Sequence, residues 1–367
     1  RTNTLVANAQ RASLPNILIV QHDGRHIPKV PGQGYDAILV DAPCTGSATT
    51  RKNPDVWSKW KPSGGKKLHS LQLDLLSRAI KVARPGASIV YSTCSLDPTE
   101  NEAVIARILE FEKEIEIEKI NENTLQGLHF QNGMTEWTVL DDNLIPTNEE
   151  EYSTSKNPKI KQLLSRCIRI HQDESGHGGF FVAKLRVTKK LNKSTNKEVR
   201  RISLNPKRKG TFPIPIGNQD FLRINEIHAP SIEDACLWSK GKRILWSHNS
   251  IKQKIWSLET QSKSDRIHDG EQWPPLNLIH LGIRAWESRD SRDFRLSSEG
   301  LHSIKISNKG KRIHNVDYDT ARKIIGNEEP IENNEKFTTG GHLLLLGRDG
   351  AQWRIPIWVG ERISRMW

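Results

Sequence analysis

Residues 37–46, AILVDAPCTG, decide the fold of this chain. The first four are all apolar, which predicts a strand of a parallel sheet that is buried on both faces by helices. Pro43 and Gly46 then stiffen and turn the loop that follows. Asp41 and Cys44 therefore lie just past the end of a strand, where open parallel sheets bind their ligands.

Strand and helix patterns alternate on both sides of this stretch. The apolar runs predict further strands at 17–20, 88–93 and 178–187. Helical spacing of apolar residues predicts helices at 67–83, which Arg84-Pro85-Gly86 would end, and at 100–110, which a Thr99–Glu102 capping box would begin. We therefore expect an α/β fold with a doubly wound sheet.

A basic segment divides the chain. Residues 189–209 hold nine Lys or Arg against one acid, Glu198, which is typical of a solvated linker or of a phosphate-binding or nuclear-targeting segment. We expect a catalytic domain at 1–187, a linker at 188–210 and a small α+β or barrel-like module at 211–367. Strands are predicted in the module at 243–247, 277–285, 301–306, 342–347 and 353–359, and a helix at 317–325.

Composition narrows the class of partner. The 367 residues carry a net charge of +12, which favours a polyanion, and nucleic acid fits best. No run of 18 apolar residues exists, so we expect no membrane span. The four cysteines show no CxxC or CxH spacing, so we expect no metal site. The basic linker favours the nucleus or nucleolus, with the cytoplasm as the alternative.

Three predicted strands end in residues that carry chemistry. They are Asp23 in QHDG, Asp41 with Cys44 in DAPCTG, and Cys94 in STCS. A carboxylate at such an end can bind an adenine amine or a ribose hydroxyl. Two thiols fit methylation at C5 of a pyrimidine, because C5 becomes nucleophilic only after a thiolate adds at C6, and the thiolate must later leave.

The carboxylate and the thiols suggest separate roles. Asp41 can hydrogen-bond N3 or the exocyclic amine of cytosine and so ease attack at C6. We assign the attack to Cys94, because it ends its strand and faces the start of a helix. Chemistry alone leaves the roles of Cys44 and Cys94 interchangeable.

Several peptides in order resemble the Nop/Sun-domain RNA (cytosine-5) methyltransferases. They are DAPCTG, RKNPDVW (51–57), YSTCS (91–95), PTENEAV (98–104) and GGFFVA (178–183). The stretches GLHF (127–130), LGIRAW (281–286) and FRLSSEG (294–300) extend the resemblance to the eukaryotic multisite tRNA branch. The resemblance implies a Rossmann-like sheet, S-adenosylmethionine as cofactor and RNA, above all tRNA, as partner. It also implies that the C-terminal module binds RNA, as in pseudouridine synthases and archaeosine transglycosylases.

The resemblance also implies residue roles. The family's attacking cysteine falls on Cys94, and its cysteine for release of the methylated base falls on Cys44. Its cofactor-binding carboxylates fall on Asp23 and Asp41. The family's glycine-containing cofactor loop and the acidic ribose-binding residue after it are not in this sequence. We therefore expect the first strands to be missing, the edges beside them to be unpaired, and S-adenosylmethionine to bind poorly or not at all.

RNA contacts are expected beside the thiols. Arg51, Lys52 and Lys59, together with Lys61, flank Trp57 and Trp60, so cations for phosphate alternate with stacking surfaces. Half-buried packing is the alternative for the two indoles. His177 is expected to be a loop residue.

Two other functions remain open at this point. One is a non-catalytic RNA-binding fragment that lacks the cofactor loop. The other is a DNA cytosine-5 methyltransferase, which the STCS thiol and the C-terminal module disfavour.

Overall fold

The structure, a computed structural model, describes most of the chain. The described residues are 2–27, 34–121, 123, 126–172, 176, 178–188, 213–231, 233–254, 277–288, 294–306, 309–326, 331–332, 337–348, 351–360 and 362–365. They fall into two compact units, Arg1–Gln21 with Ile202–Trp367, and His22–Arg201. The sequence predicted domains at 1–187 and 211–367 with a linker at 188–210. In the structure the first 21 residues belong instead to the unit that contains the C-terminal module.

The elements of the described residues follow in chain order. The α-helices are α1 (Thr2–Arg11), α2 (Asp55–Lys59), α3 (Lys66–Val82), α4 (Glu102–Phe111), α5 (Pro158–Leu164), α6 (Asn218–His228), α7 (Asn249–Lys254), α8 (Ser298–Ser303) and α9 (Tyr318–Gly326). The strands are β1 (Leu18–Gln21), β2 (Tyr35–Asp41), β3 (Ala83–Thr93), β4 (Ile115–Glu118), β5 (Phe130–Asn132), β6 (Val139–Leu140), β7 (Pro146–Thr147), β8 (Ile168–Ile170), β9 (Phe180–Val187), β10 (Ile214–Pro215), β11 (Ala235–Lys240), β12 (Arg243–His248), β13 (Asn277–Leu281), β14 (Ile283–Ser288), β15 (Phe294–Leu296), β16 (Ile313–Asn315), β17 (Ile331–Glu332), β18 (Gly340–Arg348), β19 (Ala351–Val359) and β20 (Arg362–Arg365).

A six-stranded sheet forms the centre of the His22–Arg201 unit. Its order is β2-β3-β9-β8-β5, and β4 also pairs with β9. Only β2 and β3 run parallel to each other among these pairs, and β9 runs antiparallel to β3. The α/β prediction is confirmed, but the sheet is mixed, because a strand's apolar pattern does not reveal its direction.

Helices α3 and α4 cover one face of this sheet. Leu76 and Ile80 of α3 and Ile105 of α4 lie in one buried cluster with Ile89 and Tyr91 of β3. Apolar residues three and four apart line one side of a helix, which is why these positions meet the sheet. The predicted helices 67–83 and 100–110 are thus confirmed to within two residues.

Strand β2 is less buried than the sequence suggested. Its residues Ile38 and Val40 pack on the core cluster, whereas Leu39 is 69% exposed. Alternate side chains point to opposite faces of a strand, so only one face of β2 is covered within the described residues. The prediction of burial on both faces is wrong here, and β2 is the edge strand of its sheet, as expected.

The predicted first strand does not belong to this sheet. Strand β1 pairs antiparallel with β13, and both strands belong to the unit formed by Arg1–Gln21 and Ile202–Trp367. Leu18 and Val20 pack against Trp238 and its neighbours, while Ile19 packs against Val6 and Ala9 of α1. A short apolar strand predicts burial but not its partner, and an open apolar edge elsewhere satisfies its backbone equally well.

The C-terminal module consists mainly of strands, as predicted. One sheet has the order β10-β11-β12-β14-β15 and another the order β16-β18-β19-β20-β17. The predicted helix at 317–325 matches α9. The predicted strand at 301–306 is wrong, because Ser297 accepts a hydrogen bond from the backbone of Gly300 and caps α8.

Two expectations fall on residues outside the described ranges. They concern the basic run 189–209 and His177. The nuclear location that the basic run favours stays a prediction. No helix in the described part of the chain is long and apolar enough to cross a membrane.

Candidate functional site

The structure brings the two predicted thiols together. The sulfurs of Cys44 and Cys94 lie 3.2 Å apart and share a hydrogen bond. Both side chains are partly buried, whereas Cys167 is fully buried. The parallel pairing of β2 with β3 explains this, since both strands end at the same edge of the sheet.

Backbone bonds continue past the strand ends and hold the two loops side by side. The amide of Ala42 donates to the carbonyl of Ser92, and the amide of Ala48 donates to the carbonyl of Cys94, both at 3.0 Å. Between them Gly46 adopts a left-handed conformation with φ of 73°, which glycine tolerates best. The Cys44 loop therefore turns back onto the Cys94 loop.

Glu100 anchors the Cys44 loop through hydrogen bonds. Its side chain is fully buried, and it accepts hydrogen bonds from the amide and the hydroxyl of Thr45 at 2.9 Å and 2.5 Å. Gln72 of α3 donates both to Glu100 and to the carbonyl of Pro43. A buried carboxyl with several donors holds its neighbours in one geometry, so Glu100 fixes the residues on either side of Cys44.

Asn101 anchors the Cys94 loop in the same way. Its side chain accepts from the hydroxyl of Thr93 at 2.6 Å and donates to the carbonyl of Ser95 at 2.9 Å. Thr93 and Ser95 flank Cys94 directly. The two thiols are thus held by neighbouring residues at the start of α4.

Glu102 ties this helix start to the rest of the sheet. Its buried carboxyl pairs with two nitrogens of Arg169 on β8, at 2.7 Å and 2.5 Å. Arg169 also donates to the carbonyl of Leu96. The predicted Thr99–Glu102 capping box is wrong, because the N-cap residue is Asn101 and buried partners satisfy Glu102 instead.

Electrostatics distinguish the two sulfurs. Burial raises the pKa of the Cys44 thiol well above its ordinary value, and the hydrogen bond and charge of Cys94 raise it further. Glu100, which bonds the next residue, adds to this effect. Burial and the neighbouring negative charges therefore all disfavour ionisation of Cys44.

The predicted cofactor carboxylates, Asp23 and Asp41, are both exposed within the His22–Arg201 unit. Asp23 caps a short 3₁₀ turn, Gly24–His26, and bonds Arg25 at 2.7 Å, which holds the pKa of Asp23 well below its usual range. Asp41 is exposed at the end of the edge strand. Neither carboxylate lines either of the two best-formed clefts of the described residues. Their role in holding S-adenosylmethionine stays a prediction.

The predicted RNA-contacting residues lie on the surface beside the thiol loops. Trp57 is 74% and Trp60 45% exposed, so half-buried packing does not describe Trp57. Arg51, Lys52 and Lys59 are exposed as well. These side chains are accessible to a ligand in the His22–Arg201 unit.

The sequence analysis missed the residues that position the thiols. Glu100, Asn101 and Glu102 looked like a solvent-facing helix start, yet all three are fully buried. One signal in the sequence could have revealed them. These three polar residues stand between the Cys94 loop and the apolar part of the next helix. Gln72 on the apolar side of α3 was a second such signal.

Metal ligation finds no support in this region. No group of three or more His, Cys, Asp or Glu side chains within the described ranges is arranged to hold a metal ion.

Comparison with protein families matches residues 1–186 to the family described as 16S rRNA methyltransferase RsmB/F. Multisite-specific tRNA:(cytosine-C(5))-methyltransferase of Saccharomyces cerevisiae is 33% identical over 221 residues, 55% of this chain and 32% of the relative. The tRNA (cytosine(34)-C(5))-methyltransferase of Drosophila melanogaster is 33% identical over 255 residues, 63% of this chain and 34% of the relative.

A bacterial relative and a solved structure extend these matches. Ribosomal RNA small subunit methyltransferase F of Escherichia coli O9:H4 is 39% identical over 315 residues, 85% of this chain and 51% of the relative. The chain thus spans about a third to a half of the length of these relatives. The structure of NSun6 from Pyrococcus horikoshii with SFG has a TM-score of 0.36 at 25% identity, over 52% of this chain and 39% of that chain.

Proposed function

The chain belongs to the 16S rRNA methyltransferase RsmB/F family, and from that premise we propose that it forms the base-activating part of an enzyme that methylates C5 of cytosine in RNA. The observation that carries the proposal is the pair of sulfurs 3.2 Å apart at adjacent strand ends. One sulfur can attack a base while the other is within reach of the same ring.

Cys94 performs the attack in this proposal. Its thiolate adds to C6 of cytosine, and the electron pair of the C5–C6 double bond moves toward C5 and N3. Asp41, three residues before Cys44, donates a hydrogen bond to N3 when its carboxyl is protonated and so favours the addition. The assignment to Cys94 rests on its place at the end of β3, where Asn101 at the start of α4 bonds both residues that flank it, and the burial that raises the pKa of Cys44 supports it.

Cys44 moves the proton in this proposal. Its thiol gives a proton to C5 of the adduct, and its sulfur later takes a proton from C5. The C5 electron pair then re-forms the double bond and expels the sulfur of Cys94. The target base must first leave its stack, because a base within a helix cannot reach a sulfur in a loop.

RNA is the substrate class, and we propose tRNA within it. Relatives named for tRNA and for ribosomal RNA both match, and the eukaryotic relatives are named for tRNA. The net charge of +12 supports a polyanionic partner. S-adenosylmethionine is the proposed methyl donor of the whole protein, whose activity is part of the proposal.

The test follows the C5 hydrogen, because its exchange needs no methyl donor. RNA tritiated at C5 of cytosine is incubated with residues 1–367, and label released into water is counted. We expect Cys94→Ala to lower release by about 100-fold or more. We expect Cys44→Ala to slow release and to leave a protein–RNA adduct on a denaturing gel. Cys236→Ala, a thiol in the other unit, is the control.

Reversed results from the two variants would exchange the roles of the two sulfurs. Release that survives both substitutions would contradict the proposed function.

A non-catalytic RNA-binding role is the second candidate. It is favoured by Asp23 and Asp41, which do not line a common cleft within the described residues. RNA binding by the unaltered chain without C5 exchange would support this candidate over the first.

A further inference from the structure

A cleft of about 310 Å³ opens beside the two thiol loops. Ser47 and Leu96 line it, and they follow Cys44 and Cys94 by three and two residues. The cysteines themselves do not line the cleft. It is therefore a separate site that adjoins the proposed reaction site, and its volume lies at the lower end of the range for small-ligand pockets.

Two stacked indoles form one wall of this cleft. The rings of Trp57 and Trp60 are nearly parallel, at 14°, with centroids 6.4 Å apart. Trp57 is 74% exposed. Flat faces of this kind suit the flat face of a base.

The rest of the lining suits a base as well. Val139 and Leu140 of β6 contribute apolar surface, and Asp97 contributes a carboxyl. Oxygens of this kind accept hydrogen bonds from the amino groups that adenine, guanine and cytosine carry. A slot of apolar surface with several hydroxyls and one carboxyl holds a base without requiring one particular sequence.

Positive charge surrounds the same segment. Arg51, Lys52, Lys59 and Lys61 lie within ten residues of one another and are exposed. Cations that alternate with stacking aromatics are typical of surfaces that bind single-stranded nucleic acid. The charge favours a nucleotide over an apolar or basic peptide.

We propose that this cleft stacks the base of an unpaired nucleotide next to the target cytosine. The proposal rests on the proposed function, since it takes the target base to lie at the thiols. Stacking the neighbour on Trp57 holds the RNA strand open beside the reaction site. The substrate is thus an RNA segment with at least two adjacent unstacked nucleotides.

The test combines a protein change with an RNA change. A short single-stranded oligoribonucleotide with one cytosine is compared with two versions that lack the base on the 5′ or the 3′ side of it. Binding to residues 1–367 is measured by fluorescence anisotropy at one salt concentration. Phe111→Ala is the matched control, because Phe111 is also 74% exposed and lies about 14 Å along α4 from its start.

We expect one of the two base deletions to weaken binding to the unaltered chain by about 5- to 140-fold, the range for one stacked base. Trp57→Ala should weaken binding of the intact RNA by a similar factor and should erase the effect of that deletion. Phe111→Ala should change neither value.

If base deletion weakened RNA binding equally in the unaltered chain and in Trp57→Ala, the stacking site would be overturned. That result would not bear on C5 exchange, so the proposed function would stand. Loss of C5 exchange in Phe111→Ala as well as in Trp57→Ala, with RNA affinity intact in both, would equally overturn it. RNA binding that is absent from the unaltered chain would overturn the stacking site together with the RNA substrate.

Discussion

At the scale of the residue, the chemistry depends on the difference between two neighbouring sulfurs. Cys44 and Cys94 are the same residue type at a distance of 3.2 Å, so their surroundings must set their roles. Burial is the largest cause that raises the pKa of Cys44, and the charge of Glu100, which bonds the neighbouring Thr45, adds to it.

Glu100→Gln should lower the pKa of Cys44. A negative neighbour disfavours the thiolate, so its removal should make the thiolate of Cys44 form at lower pH. The measurement is the pH dependence of iodoacetamide labelling at Cys44 in a Cys94→Ala background. Glu110→Gln, the same change farther along α4, is the control and should leave the profile in place. A profile that stays in place or moves to higher pH with Glu100→Gln would contradict the assignment.

Residue-level prediction from sequence succeeded where a residue carries its own chemistry. Cys44 and Cys94 were singled out because their flanking peptides place both thiols at strand ends, and the structure brings their sulfurs together, while their roles stay a prediction. Glu100 and Asn101 were not found, because a carboxyl and an amide at a helix start ordinarily face water. Their burial depends on contacts with Thr45 and Thr93, which lie far away in sequence.

At the scale of the element, the start of α4 joins three parts of the sheet. Glu100 reaches the loop after β2, Asn101 reaches the loop after β3, and Glu102 reaches Arg169 on β8. Helix α4 is therefore the element on which both thiol loops are held. A shift of this helix would disturb both sulfurs together.

Arg169→Met should strongly destabilise the His22–Arg201 unit. The change leaves the carboxyl of Glu102 buried without its cation, which costs about 3–5 kcal/mol. Urea unfolding followed by fluorescence gives the free energy of unfolding. Lys161→Met, which breaks the more exposed pair with Glu136, is the control and should cost little stability. The double variant Arg169→Met with Glu102→Gln should recover much of the loss; a double variant as unstable as the single one would contradict this account.

Element prediction from sequence succeeded for helices and failed for strand partners. The spacing of apolar residues fixes which side of α3 is buried, whatever the rest of the chain does. The partner of a strand such as β1 is not fixed by its own sequence, since any open sheet edge can pair with it. Helix α8 was missed because Ser297 and Gly300 decide its start, and the apolar content of 301–306 suits either structure.

At the scale of the whole molecule, the two units hold different parts of the expected enzyme. The His22–Arg201 unit holds the thiols, the cleft and an open edge at β2. The first 21 residues belong with the C-terminal module instead, where Gln10 donates to the carbonyl of Gly282 and accepts from the amide of Arg284. RNA binding by the C-terminal module stays a prediction.

Residues 1–367 should not bind S-adenosylmethionine measurably. The two carboxylates expected to hold it line neither cleft, and Asp23 is already paired with Arg25. Isothermal titration should show no heat of binding at micromolar to millimolar ligand, whereas tritium exchange at C5 should proceed. A complete S-adenosylmethionine-dependent methyltransferase titrated in parallel is the control. Micromolar binding that Asp41→Ala abolishes would contradict the prediction.

The closeness of the two sulfurs has a further consequence for the environment in which the protein can work. Sulfurs 3.2 Å apart need to approach by only about 1 Å to form a disulfide. Hydrogen peroxide would take one hydrogen from each thiol and yield two waters, so both groups would be lost at once. We expect mild peroxide to cross-link Cys44 to Cys94 in non-reducing peptide mass spectra and to stop C5 exchange until dithiothreitol is added. Oxidation of one cysteine without the cross-link would contradict this. We therefore expect C5 exchange to require reducing conditions, because the same pairing that suits base chemistry favours the disulfide.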